Sequence, residues 1–251
     1  MEQNVARSQN QSTRQNNLID LTTKRKKPPL YSQYFRRYEL MIEFTNLRNP
    51  KHCPSGVYIM PAIDDMNTWY GVLFVRKGYY KNGVFKFRIN IPREYPERAP
   101  GVAFITDMFH PLVDQNGQLS IGQQFPTWTP NRDYIFHVLH YVRNIFKKVA
   151  LDGLMEKYCL NKEAYRMYRN EVHIFAKLAQ QCAQLSITES ILYDNYPESN
   201  TIRFNPLSDT KFEELKTQIL SNNFSSIAES TSSSDRQLKD RLRNLTKLIS
   251  G

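Results

Sequence analysis

The sequence predicts an α+β fold: an N-terminal helix, a four-stranded antiparallel meander, and C-terminal helices packed beside the sheet. Three observations carry this. Apolar residues recur at three- and four-residue spacing early in the chain and again in its second half. Between these stretches they alternate with polar residues, as in Phe85, Phe87, Ile89 and Ile91 against Lys86, Arg88 and Asn90, the pattern of a half-buried antiparallel strand. A hydrophobic share of 40%, with 12% aromatics, is too high for a disordered chain and supports a real core.

The first helix follows Pro28-Pro29. Tyr31, Tyr34, Phe35, Tyr38, Ile42 and Phe44 or Leu47 mark its apolar face, with Arg36, Arg37, Glu39 and Glu43 between them. It ends near Asn46, because Asn49-Pro50 and Cys53-Pro54 stop it. Strands follow over Gly56 to Met60, Trp69 to Val75 and Val84 to Ile91, the last entered through the Lys81-Asn82-Gly83 turn. The proline-rich segment from Ile91 to Pro100 loses backbone donors, so it is an ordered connection to a fourth strand, Val102 to Ile105. Ile135, Val138, Leu139, Val142, Ile145, Phe146 and Val149 form a second helical stripe; Ala164, Met167, Tyr168, Val172, Phe175, Leu178, Ala179 and Cys182 form a third.

Charge and composition exclude several classes. The chain has 251 residues and a formal net charge of +10. No apolar run approaches the roughly 20 residues of a membrane span, and the Gln/Asn/Ser-rich start lacks a signal peptide's apolar region, so a cytoplasmic or nuclear place is expected. Cys53, Cys159 and Cys182 are scattered and odd in number, which argues against a disulfide framework and against zinc. Residues 1–30 read as a disordered basic arm: Arg7, Arg14, Lys24, Arg25, Lys26 and Lys27 stand against Glu2 and Asp20. Without aromatic interleaving, the Lys24 to Lys27 cluster reads as a solvated tail rather than a nucleic-acid contact.

Tyr95-Pro96-x-x-x-Pro100, the strand after it, His110-Pro111, the Trp128-Thr129-Pro130 element and the following helix occur in the order and near the spacing of the ubiquitin-conjugating enzymes, which the chain resembles from about Tyr34 to Ala183. The resemblance implies that family's fold over residues 31–184. The family's signature is His-Pro-Asn, a catalytic cysteine ten residues after the histidine, and a tryptophan eight further on. Here His110, Pro111 and Trp128 are in place, Leu112 stands for the asparagine and Ser120 for the cysteine. A thiol is partly ionised near neutrality, whereas a serine hydroxyl needs an adjacent base. His137 and His140 are the candidate bases, but Leu112 also removes a donor that an oxyanion needs. The expectation is no catalysis, no cofactor and no metal. Ser120 is then a polar surface residue and Asp152 a helix-end or solvated aspartate. His110 holds its loop through the backbone, Trp128 packs partly buried, and Tyr95 anchors its loop through its hydroxyl. Cys53 lies in the loop before the sheet, Cys159 before a helix, and Cys182 on an apolar stripe as a small buried hydrophobe.

Gly56-Val57-Tyr58-Ile59-Met60-Pro61, the Trp69 to Gly78 segment, Gly83-Val84-Phe85-Lys86-Phe87 and Phe109-His110-Pro111-Leu112-Val113-Asp114 are similar to the inactive fused toes or Akt-interacting protein subfamily, which includes the insect crossbronx and crossbronx-like proteins. This resemblance implies a noncatalytic adaptor that joins Hook-type coiled-coil proteins and a further large subunit in endosomal vesicle trafficking. The alternative is a noncatalytic cofactor subunit of an active conjugating enzyme, with ubiquitin or enzyme contact left open. Residues 185–224 read as a helical extension, with Thr210 and Glu213 at capping-box spacing and Phe212, Leu215 and Ile219 as its apolar residues. Residues 225–251 read as a serine-rich linker and a basic amphipathic helix, with Leu238, Leu242, Leu245, Leu248 and Ile249 among Arg236, Lys239, Arg241, Arg243 and Lys247. Partner contact, peripheral membrane contact through 235–251, and no role at all remain open for that helix.

Overall fold

A computed structural model describes residues 29–193 and 198–220. Residues 1–28 of the expected basic arm and the 225–251 segment lie outside the described residues; Pro29 and Leu30, expected in the arm, begin the first helix. The elements are α1 (Pro29–Asn46), β1 (Val57–Pro61), β2 (Thr68–Phe74), β3 (Val84–Asn90), β4 (Gly101–Phe104), α2 (Ile135–Asn144), α3 (Lys148–Asp152), α4 (Lys162–Asn170), α5 (Val172–Leu185), α6 (Glu189–Leu192) and α7 (Asp209–Leu220), with a short 3-10 turn at Glu156–Tyr158. The four strands form one antiparallel meander in sequence order.

The inner face of the sheet is set by alternation. Trp69 and Leu73 of β2, Phe85, Phe87 and Ile89 of β3, and Val102 of β4 are essentially sealed from solvent. Gly71 pairs with Phe87, and a Cβ at residue 71 would sit 2.3 Å from the Phe87 ring, so the strand carries glycine where that ring crosses it. Phe85 stacks on Phe146 at 5.4 Å, and Phe175 of α5 meets Tyr79, Tyr80 and Tyr168 edge-on. Helices and sheet thus share one aromatic core.

Four sequence expectations are corrected. The first concerns α1, whose expected apolar face divides: Phe35, Tyr38 and Ile42 are exposed, whereas Phe44 and Leu47 pack against the core. The inward face carries the buried Leu40 and the partly buried Phe44, whose ring meets Trp69 at 5.6 Å, together with two polar anchors. Arg36 donates to the Ile91 and Pro92 carbonyls at 3.3 and 2.5 Å. The Glu43 carboxylate accepts the Tyr95 hydroxyl on one oxygen and the Ile135 N–H at 2.9 Å on the other. These anchored polar contacts turn Leu40, Phe44 and Leu47 inward and leave Phe35, Tyr38 and Ile42 at the surface.

The second stripe does not run unbroken to Val149. Helix α2 ends at Asn144, and the Ile145 carbonyl, which a continuing helix would give to the Val149 N–H, faces His110 Nε2 at 3.1 Å. The chain re-enters a helix at Lys148 in a new phase, leaving Val149 83% exposed. The third stripe is also two helices, α4 and α5, because Glu171 leaves helical geometry at φ −137°, ψ 55°.

The fourth correction concerns the outer face of the sheet. Lys86 is buried rather than solvated, as are Tyr70, Val72 and Ala103. Residues beyond α5 cross this face as a strap. Ser186 Oγ accepts the Val84 N–H at 2.9 Å, Lys86 Nζ donates to the Ile191 carbonyl, Ser199 Oγ lies 3.3 Å from the Tyr70 hydroxyl, and Phe204 meets Phe74 edge-on. The Ile63 N–H also donates to the Ser199 carbonyl at 3.0 Å. Alternation reports one apolar face of a strand, and it is silent about a distant segment that covers the polar one.

This strap carries a prediction. A chain ending at Gln184 should be less stable to urea than one ending at Pro206 by about 3 kcal/mol, from re-exposed apolar area and lost hydrogen bonds. Equal midpoints with equal slopes would contradict the contribution assigned to the strap.

Candidate functional site

His110 is fully buried, and its ring nitrogens fix the loop that carries the motif. The Leu112 N–H donates to Nδ1 at 3.0 Å, so Nδ1 is an acceptor, and Nε2–H donates to the Ile145 carbonyl at 3.1 Å. Burial lowers the imidazole pKa from its usual value to about 4, against the opposing pull of the Ile145 carbonyl. The ring is therefore neutral and spoken for at both nitrogens.

From this anchor the chain turns through Asp114, whose Oδ1 accepts the N–H groups of Asn116 and Gln118, each at 2.8 Å. Gly117 follows at φ +78°, and a Cβ there would lie 2.2 Å from the Phe104 carbonyl oxygen. That close approach lets the turn pair with the edge of β4: Phe104 N–H donates to Gly117 and Leu119 N–H to Val102. Ser120 is delivered next, half-buried. Its N–H donates to the Leu112 carbonyl at 2.8 Å, and its own carbonyl accepts the Tyr141 hydroxyl at 2.9 Å. Burial raises the Tyr141 pKa, which keeps it a donor.

The backbone polar groups at this position are paired within the fold. The Leu112 N–H is occupied by His110 and the Ser120 N–H by Leu112, so neither is directed at a developing oxyanion. Leu112 itself is buried and offers only hydrocarbon. Among the described residues, Ser120 Oγ forms no hydrogen bond with His137 or His140. His137 Nδ1 accepts the Tyr134 N–H at 3.1 Å, and His140 Nε2 lies 2.9 Å from the Lys51 carbonyl. Burial lowers the His137 pKa, against the nearby Asp133. Neither imidazole is brought to the serine.

The cysteines sit elsewhere, and burial raises the pKa of each, which disfavours the nucleophilic thiolate. Cys53 Sγ is 3.5 Å from the Val57 carbonyl. Cys159 is buried at the end of the 3-10 turn. Cys182 is half-buried rather than a plain core residue: its sulfur accepts the Phe109 N–H and donates to the Asp107 carbonyl, each at 3.4 Å, tying α5 to the loop before His110. Asp152 ends α3, ion-paired with Lys148 at 2.7 Å and accepting the Tyr168 hydroxyl at 2.5 Å; these contacts lower its pKa, the Lys148 contact most.

The remaining motif residues form a shared wall. Tyr95 and Pro96 are joined by a cis peptide bond, and the Trp128 indole N–H donates to the Pro96 carbonyl at 2.8 Å. Pro100 is buried at the entry to β4, and Pro130 is half-buried in the turn before α2. In that turn Asp133 accepts the Thr129 N–H at 2.8 Å. A surface cleft of about 780 Å³ lies between the segment around Phe125 and α2–α3, lined by Leu112, Phe125, Tyr141, Ile145 and Val149 with His137 and His140. Gln123 ties its far side, donating to the Gly153 carbonyl at 3.0 Å and accepting the Met155 N–H at 3.1 Å. The sequence reading gave no such role to Gln123, Glu43 or Tyr141, since each acts on a partner distant in sequence. Among the described residues no cluster of three His, Cys, Asp or Glu side chains fits a metal ion, and no helix is long and apolar enough to cross a membrane.

An N-terminal helix, a four-stranded meander, a buried histidine loop and a tryptophan-proline wall define a ubiquitin-conjugating-enzyme fold. The family model described as "Ubiquitin-conjugating enzyme" matches residues 39–183, and the chain belongs to that family. It is similar to "Protein AKTIP homolog" of Nematostella vectensis, 33% identical over 192 residues that make up 76% of this chain and 62% of that protein. It is also similar to "AKT-interacting protein" of Danio rerio, 34% identical over 188 residues, 74% of this chain and 62% of that protein. The protein of the same name from Pongo abelii is 31% identical over 76% of this chain and 63% of its own length. The chain thus matches somewhat under two thirds of the length of these relatives.

His110 gives the second prediction. Its folded pKa lies below its unfolded value near 6.5, so the unfolded state binds more protons between pH 6.5 and 4, and stability falls as pH drops through that window. The loss should approach about 3 kcal/mol at pH 4. His110→Gln, followed by urea unfolding, should be less stable at pH 7 and show a much flatter slope across this window. An unchanged slope would contradict the buried neutral ring.

Proposed function

We propose that this chain is a noncatalytic adaptor of the ubiquitin-conjugating fold, one that binds partners through its surfaces and carries no acyl group. The observation that carries this reading is the pairing of Ser120 with Leu112 on an intact scaffold. Where an active relative needs a thiolate and a nearby amide donor, this chain has an alcohol without a base among the described residues and a buried leucine. His110, Tyr95, Trp128 and Pro130 are then architectural.

The partners in this reading are Hook-type coiled-coil proteins and a further large subunit, in endosomal vesicle trafficking on the cytoplasmic side. Support comes from the similarity to proteins named for interaction with AKT, a name that speaks of protein contacts. The outward apolar side chains of α1, Tyr38 and Ile42, offer a surface that a partner helix can cover. Purified full-length chain, titrated with a purified Hook-type coiled coil, should form a complex with a Kd in the micromolar range or tighter, as expected of a specific interface. Failure to bind under conditions where a known complex assembles would remove the Hook assignment. Co-purification from cytosol with an active conjugating enzyme instead would favour the specificity-subunit alternative.

A further inference from the structure

Helix α7 lies beyond the strap and outside the matched family region. Its apolar residues fall on one face: Phe212 and Ile219 are each 53% exposed, and Leu215 between them is the one position of intermediate exposure from 209 to 219. Leu207, just before the helix, is also exposed. The polar residues bordering that face are engaged with one another. Lys216 pairs with Glu213 at 3.0 Å and sits 5.8 Å from the centre of the Phe212 ring. A twelve-residue helix with this little burial is marginal alone in water, so its apolar face calls for cover.

We propose that residues 235–251 of the same chain cover this face, pairing with α7 as an antiparallel helical hairpin. The apolar pattern fits. Leu238, Leu242, Leu245 and Ile249 recur at the four-three-four spacing that opposes Phe212, Leu215 and Ile219 when the direction is reversed. The charges are complementary, since Arg236, Lys239, Arg241, Arg243 and Lys247 outnumber Asp235 and Asp240, whereas Asp209, Glu213 and Glu214 outnumber Lys211 and Lys216 on α7. The connection reaches: residues 221–234 span roughly 45 Å when extended, against about 18 Å for the length of α7. Tethering decides between this occupant and a second copy. A short linker holds the segment at an effective concentration on the order of millimolar, far above a micromolar solution of free protein.

The test is amide hydrogen exchange on the full-length protein at a concentration where it is monomeric, comparing it with Leu242→Asp/Leu245→Asp, which leaves residues 29–220 untouched. Covered, α7 should exchange about tenfold faster in the double variant, with the sheet unchanged. A second measurement fixes the direction: with both residues made cysteine, Ile219→Cys/Leu238→Cys should form an intramolecular disulfide under mild oxidation, and Phe212→Cys/Leu238→Cys should not. Unchanged exchange in the α7 amides of the double variant would overturn the proposal. So would protection of α7 that grows with protein concentration, because it would make a second copy the occupant.

Discussion

Two hydrogen bonds to one buried imidazole hold the motif loop of this protein in place. His110 accepts from Leu112 with Nδ1 and donates to Ile145 with Nε2, so a single neutral ring ties the motif loop to the end of α2. The same contact ends α2 and rephases the chain into α3, which builds one side of the cleft. Removing either partner leaves a polar group buried without compensation, the costly half of the hydrogen-bond ledger. Both ring nitrogens are committed to the backbone, and burial keeps the imidazole uncharged.

A second polar node works on the other side of the core. The Glu43 carboxylate joins α1, the proline-rich connection through Tyr95, and the first N–H of α2, where a negative charge also suits the helix dipole. Burial raises its pKa and the hydrogen bonds it accepts oppose that shift. Together with Arg36 this node orients α1 so that Phe35, Tyr38 and Ile42 lie at the surface.

Strand order and the core strands were legible in the sequence because period-two alternation and proline placement are local signals, and β1 to β4 fall within a residue or two of their expected ends. The helices were legible in existence but not in phase or continuity. On α1 long-range contacts to Ile91, Pro92 and Tyr95 decided which of the expected apolar residues turn inward. At Ile145 a partner 35 residues away broke the helix. The strap over Lys86 was invisible because nothing near Lys86 announces a cover more than a hundred residues downstream. At the site, the residues came from motif spacing, but their engagement did not: the spent donors of Leu112 and Ser120 and the roles of Tyr141 and Gln123 depend on the folded loop.

The central claim is that this scaffold binds without reacting. Its most direct test is a charging reaction with ubiquitin, activating enzyme and ATP, in which an active conjugating enzyme is run alongside. An oxyester on Ser120 would resist reducing agent, yield to hydroxide and vanish in Ser120→Ala. The account predicts no covalent adduct on this chain while the active enzyme charges fully. A hydroxide-labile adduct that disappears in Ser120→Ala would contradict it and make Ser120 a working nucleophile.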